Sequence, residues 1–431
     1  MTELERINRA IADELPAVSL TLSDLGRRAI FPRGIPFQSA QAKGTRYNAT
    51  IGQVTDGHGG ALPLPALRDA LAGLSASMSH LYSPPSGHLA LRQAWQRRQR
   101  ALSNGSSVAT TLPFVTGGLS QGLSFLAELL VDPGRPVLVP RPRWGNYDQT
   151  FGFRRGGRLV SYDLFEGTTF SLRGLDEALE STCEPAVLLL NFPHNPTGYC
   201  PDPGEVAAMV ERIAAHPYPL VVVVDDAYAG MLYLGSPSAR SMFWDLAKRV
   251  DRERHAVIRL DGATKELLFF PGRVGFITIA LPADSPAAEA LESKFGSLAR
   301  SSVGSPSGPG QAAVLHALEQ TDLEEQIASA NRVLGRRAVA LQAALQDMDC
   351  PWLRPYPFHG GVFALVGVHG IADVDALRLF LIEEESVGVC SIAAPPALRL
   401  AYCSVDEQDI PELVQRLARG VQAFAAKHDG V

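Results

Sequence analysis

Apolar residues along this chain follow two rhythms. Short apolar runs at Val137 to Val139, Ala186 to Leu190, Leu220 to Val224, Ala256 to Leu260 and Val274 to Ile279 have the length and β-branched content of buried strands. Other stretches carry apolar residues at helical spacing, such as Leu64, Leu67, Leu71 and Leu74, or Leu123, Leu126, Leu129 and Leu130. Glu205 to Ala215 has the length of a crossover helix. The alternation predicts an α/β fold, a mainly parallel open sheet with helices on both faces. In such a sheet the ligand site lies beyond the carboxyl ends of the strands.

The flanks read differently. Leu4 to Leu15 is a charged helical stretch, and the Gly-, Pro- and Arg-rich segment after it predicts an arm and loop rather than a core. Tyr82 to Gly87 reads as a loop, and Leu89 to Leu102 as an amphipathic helix. Ser305-Pro-Ser-Gly-Pro-Gly310 marks a boundary, Gln311 to Leu345 predicts one long helix, and Asp406 to Lys427 a closing amphipathic helix. With 431 residues, two lobes are expected. The expected division is 1–50 as arm and part of a smaller α/β domain, 51–305 as the large domain, and 306–431 as the rest of the smaller one.

Composition narrows the functional classes. A hydrophobic fraction of 46% and a charged fraction of 19% are ordinary for a soluble protein. A net charge of -6 without a long basic run gives no reason to expect nucleic acid or an anionic membrane as partner. Met1 to Glu14 has no apolar run of signal or spanning length, so a cytoplasmic location is expected. The five cysteines are scattered, form no CxxC pair and read as reduced thiols; no metal-ligand cluster is evident.

Chemistry gathers at the strand ends. Pro140-Arg-Pro-Arg-Trp144 follows the first run, Asn191-Phe-Pro-His-Asn195-Pro-Thr-Gly198 the second, and Asp225-Asp-Ala-Tyr228 the third. The fourth leads into Asp261-Gly-Ala-Thr-Lys265, with Arg273 eight residues further on. Lys265 is a candidate nucleophilic amine, and Arg273 a cation that can hold a phosphate and lower the lysine's pKa. Thr116-Gly-Gly-Leu-Ser-Gln-Gly122 opens a helix, where free N–H groups suit an anion or an ordinary N-cap. His58, between glycines, reads as a solvated loop histidine, and Gly52 either turns the chain or allows a close approach.

Asn195-Pro-Thr-Gly, Asp225-x-Ala-Tyr228, Lys265 with Arg273, and Arg399 in Leu398-Arg-Leu-Ala-Tyr-Cys together resemble the class I/II aminotransferases, enzymes of fold type I that use pyridoxal 5'-phosphate (PLP). Pro140-x-Pro-x-Trp144-Gly-Asn-Tyr and Tyr82-x-Pro-x-x-Gly87 look like the aspartate aminotransferase branch. The resemblance implies that Lys265 holds the cofactor as a Schiff base and shuttles a proton at the substrate Cα. It implies Asp225 against the pyridinium nitrogen, with Asp226 the other candidate, Asn195 and Tyr228 at the phenolic oxygen, and Trp144 on the ring face. Gly118, Leu119, Ser120 and Arg273 would grip the phosphate, Arg399 and Gly52 the substrate carboxylate. Tyr82 would reach the phosphate of a second subunit, which requires a homodimer, and the second lobe would close over substrate.

Two positions depart from or complicate that pattern. Gly262 stands where many relatives carry a phosphate-binding hydroxyl, three residues before the lysine. Arg300 lies six residues before Pro306, as in dicarboxylate-selective relatives whose arginine binds the side-chain carboxylate across the dimer, although arginine is also common there in enzymes with other substrates. Amino transfer from an α-amino acid to a 2-oxo acid is the expected reaction. The same residues serve γ-eliminating, γ-replacing and cyclopropane-forming lyases resembling aminocyclopropane carboxylate synthase, which act on S-adenosylmethionine. A PLP-binding transcriptional regulator is the third class; its winged helix-turn-helix domain does not fit within the residues before Gly52.

Overall fold

The computed structural model describes residues 1–235 and 237–428. Among these, the larger sheet has seven strands in the order Phe114–Thr116, Gly275–Ile279, His255–Gly262, Leu220–Asp225, Ala186–Asn191, Pro136–Arg141 and Arg158–Asp163. The last five pair in parallel. Gly275–Ile279 runs antiparallel to both of its neighbours. The fold is α/β with a mostly parallel central sheet, as expected.

Strand alternation explains why these runs are apolar throughout. Leu138, Leu188, Leu190, Val222 and Val224 pack on one face against Met209, Val210 and Ile213 of helix Pro203–Ala215 and against Phe243 and Leu246. Val137, Val139, Leu189, Val223, Ile258 and Leu260 pack on the other against Leu123 and Leu126 of helix Leu119–Leu130. Both faces are covered, so neither can be polar. The crossover helix begins with a capping box, Asp202 accepting from the Glu205 N–H while the Glu205 side chain accepts from the Asp202 N–H. The two edge strands fit their position: Phe114–Thr116 is short, and Arg158–Asp163 is polar at its ends and at Ser161.

A second sheet of four antiparallel strands runs Leu353–Pro355, Ala364–Val368, Pro396–Leu400, Cys390–Ala393. Ala364, Val366, Leu398 and Leu400 face a separate core with Leu341, Leu377, Leu381, Leu417 and Val421. Arg399, between Leu398 and Leu400, therefore points to the opposite face. The arm is tied to this part of the chain: Tyr47–Asn48 pairs in parallel with Val387–Gly388 as a separate two-stranded sheet, and Gln38 exchanges hydrogen bonds with Ser391 of the four-stranded one.

Two expectations about local structure need correction. The stretch 311–345 is two helices, Gly308–Leu318 and Leu323–Gln346. Ser307 caps the first, and Glu324 and Glu325 in the opening turn of the second favour a fresh start there. The halves also pack apart, Ala313, Val314 and Ala317 with Trp95 and Phe276, Leu341 and Leu345 in the smaller core. The expected charged helix is there, Glu3–Glu14, but the segment after it is not a loop: it forms short helices Pro16–Thr21, Asp24–Arg28 and Ile35–Gln41, started by Pro16, Ser23 and Pro36. Among the described residues, no helix is long and apolar enough to cross a membrane.

One charged cluster lies inside the larger body. Arg259 Nε donates to Asp226 at 2.6 Å and sits 3.3 Å from Asp261, and Trp95 and Gln99 donate to Asp261 at 3.0 and 2.9 Å. Removing the cation would strand two buried carboxylates. Arg259→Met is expected to lower stability by about 3–5 kcal/mol in chemical denaturation, whereas a loss below ~1 kcal/mol would show that the carboxylates do not depend on it.

Candidate active site

The carboxyl ends of Ala186–Asn191 and Leu220–Asp225 are in register, Asn191 opposite Asp225, and Asp225 is opposite Leu260 on the third strand. The chain leaves each strand here and brings Asn195, Tyr228 and Lys265 to one edge. They line a cleft of about 320 Å³ together with Gly52, Leu119, Ser120, Trp144, Arg273 and Arg399. That size suits a small-molecule site.

Asp225 is 1% exposed. Its Oδ2 accepts from the Tyr147 hydroxyl at 2.7 Å and its Oδ1 from the Ala227 N–H at 3.2 Å. Burial raises its pKa to about 6 against the lowering effect of those two donors, with Asp226 adding to the rise. Asp226 points elsewhere, into the ion pair with Arg259. Among the described residues no cation is paired with Asp225.

Lys265 Nζ donates to the Gly52 carbonyl and lies 4.7 Å from the centre of the Phe270 ring. Burial, then the charges of Arg399 and Arg273, bring its pKa down to about 8, against an opposing contribution from Cys403. Gly52 is required where it is, since a Cβ would lie 2.2 Å from Phe363 Cζ. Arg273 adopts the left-handed conformation, φ 53°, rare for a non-glycine residue and common where a functional group must be aimed. It donates to the Gly117 carbonyl at 3.0 Å and lies so close over Gly118, φ 86°, that a Cβ there would meet its Nη2 at 2.3 Å. Gly118 starts helix Leu119–Leu130, whose first N–H groups open beside the guanidinium.

Arg399 is 2% exposed. It donates to the Thr50 carbonyl at 2.7 Å, lies 3.5 Å from Asn195 Oδ1, and stands 4.0 Å over the Phe363 ring. Its Nε has no partner, and among the described residues no carboxylate pairs with it. A buried guanidinium with open donors facing a cleft calls for an anionic ligand. Tyr228, buried beside Asn195, keeps its proton, burial pushing its pKa up.

Known proteins place this arrangement. The sequence model for "Aminotransferase class I and II" matches residues 48–417. The chain is 28% identical over 344 residues to an aspartate/prephenate aminotransferase of Thermus thermophilus, covering 78% of this chain and 82% of that one. It is 25% identical over 377 residues to 1-aminocyclopropane-1-carboxylate synthase 6 of Oryza sativa, covering 83% and 66%. In fold it is similar to a kynurenine aminotransferase of Pyrococcus horikoshii, with a TM-score of 0.81 at 20% identity over 95% of this chain and 99% of that one. The chain belongs to the class I and II aminotransferases.

Membership of this family makes the chain a PLP-dependent enzyme. Its cleft fits that cofactor on its own terms. Leu119, Ser120 and the Arg273 guanidinium, which lies over Gly118, offer donors suited to an anion, Asp225 has no paired cation among the described residues, and Lys265 has a depressed pKa. The Thr264 hydroxyl, on a residue that also lines the cleft, is buried without a partner.

Three residues named from the sequence are not among those lining the cleft. Gly118 lies beside it, beneath the Arg273 guanidinium. Tyr82 is 97% exposed, and Arg300 is exposed near the end of helix Pro286–Ser302 rather than in a linker. Among the lining residues given no role from the sequence are Tyr147, Asn191, Thr264 and Phe363. Tyr147 was legible only as the last residue of Trp144-Gly-Asn-Tyr, and nothing in local pattern marks Phe363. In the protein freed of cofactor, borohydride trapping of pyridoxal at Lys265 is expected to rise with pH through about 8, because the amine is free above that value. Arg273→Leu should move the midpoint upward by removing a repelling charge; a midpoint near the ordinary lysine value in the unaltered protein would contradict the geometry.

Proposed function

We propose that the chain is a cytoplasmic, homodimeric enzyme that transfers the amino group of an α-amino acid to a 2-oxo acid, with PLP held by Lys265 as a Schiff base. The observation that carries this reading is Arg399, a buried guanidinium with an open donor, set in one cleft with a lysine whose proton is loosely held. Arg399 takes the substrate α-carboxylate and so fixes the orientation of the Cα–H bond. Lys265 Nζ, once displaced by the substrate amine, would accept the Cα proton and carry it across to the carbon on the far side of the amine nitrogen. PLP supplies an electron sink for the pair released at Cα.

Asp225 would hold the ring nitrogen's proton, Asn195 and Tyr228 the phenolic oxygen, and Trp144 the ring face. Gly118, Leu119, Ser120 and Arg273 would hold the phosphate, and Gly52 would border the substrate carboxylate. The exposure of Tyr82 is compatible with a reach into a second subunit. Ile35, Ile51, Phe270 and Phe363 supply an apolar wall to the cleft, which supports an amino donor with an apolar side chain. Arg300 as an anchor for a side-chain carboxylate would act only across the dimer.

A second outcome, elimination or replacement at the γ carbon with S-adenosylmethionine as substrate, is favoured by the likeness to the Oryza sativa synthase. The spectrum of the holoenzyme separates the two. Conversion of the bound cofactor to stable pyridoxamine phosphate on adding an amino acid is expected for transfer; release of a thioether without that conversion refutes it. In an amino-donor panel, leucine and phenylalanine are expected to react faster than aspartate. Aspartate as the best donor would overturn the apolar-wall reading and return Arg300 to the site.

A further inference from the structure

Asp225 meets the cofactor's ring nitrogen only if it is ionised and correctly turned, and the structure contains a device for both. Tyr147 is 1% exposed, and its hydroxyl donates to Asp225 Oδ2 at 2.7 Å. Its ring is fixed edge-on by Trp144, with centroids 5.8 Å apart at 74°. The Ala227 N–H holds Oδ1, and Asn191 Nδ2 holds the Asp225 carbonyl at 2.8 Å. The charged and titratable neighbours that act on the carboxylate are Tyr147, Asp226 and Tyr228, and none brings a positive charge. Tyr147 is thus the one side-chain donor to this carboxylate among the described residues. A phenol buried this deeply keeps its proton, so the bond has a fixed direction, from Tyr147 to Asp225.

We propose that Tyr147 is a positioning residue: its hydrogen bond keeps Asp225 anionic and aimed, and so sets how firmly the enzyme holds the protonated ring nitrogen of PLP. This rests on PLP occupying the cleft as described above. Without the phenolic donor the carboxyl binds its own proton more readily, and a protonated carboxyl no longer offers charge to a pyridinium. The defect should therefore be greatest at low pH and shrink as pH rises, when Asp225 ionises unaided.

The test is a titration of apoprotein, unaltered and Tyr147→Phe, with PLP and with a PLP analogue in which carbon replaces the ring nitrogen. Tyr147→Phe is expected to weaken PLP about tenfold near pH 6 and less at pH 8.5, and to leave the analogue's binding within about twofold. An equal loss for both compounds, or no loss for PLP, would overturn the proposal and leave Tyr147 as a packing residue. Failure of the unaltered protein to bind either compound would sink the cofactor reading itself. Circular dichroism of the variant checks that the fold is intact, and the analogue serves as the internal control within the same protein.

Discussion

The cleft is organised by charges buried without their opposites. Among the described residues, Asp225 lies at the end of a central strand with two donors and no cation, and Arg399, lining the same cleft, has an open Nε and no carboxylate. Lys265 is held near two guanidiniums and away from any paired acid. A few residues away the same chain shows a carboxylate neutralised from within: Asp226 and Asp261 share the Arg259 Nε, at 2.6 and 3.3 Å, although Arg259 Nη1 finds no partner. Buried groups left incomplete are costly, and the adjacent Asp225 and Asp226 differ in just this respect, one held by two neutral donors and the other ion-paired with Arg259.

Much of this was readable from residue order because the relevant signals are local. Strands buried on both faces must be apolar throughout, so Ala186–Asn191 and Leu220–Asp225 announce themselves, and the polar residue at which each run stops is a site candidate. Arg399 stood out as a charge within an apolar strand, and the period of two places it opposite Leu398 and Leu400. The polar edge strand Arg158–Asp163 carried no such signal. Nor did the break after Leu318, where the helix pattern continues across a change of packing partner. Phe363 enters the cleft from the other sheet and Tyr147 meets Asp225 across 78 residues of chain, so both depend on tertiary contact.

The smaller sheet contributes through few residues, chosen by face. Its core-facing side is entirely apolar, while the opposite side presents Arg399 and, from the adjoining segment, Phe363. The arm follows the same division, since Ile35 lines the cleft while Gln38 on the same short helix is bonded to Ser391. Residues from both sheets thus line one cleft, and Leu365 and Ala397, on the same face of the smaller sheet as Arg399, pack into the core of the larger one.

Glu266, the residue after the lysine, is buried and clamped by Arg98 at 2.5 Å, and Arg98 reaches on to Glu324 at 3.1 Å. The backbone beneath the amine is consequently moored to two distant helices. Whatever travel the nitrogen makes between its partners must come from rotation along its own four methylenes, like a crane arm on a bolted base.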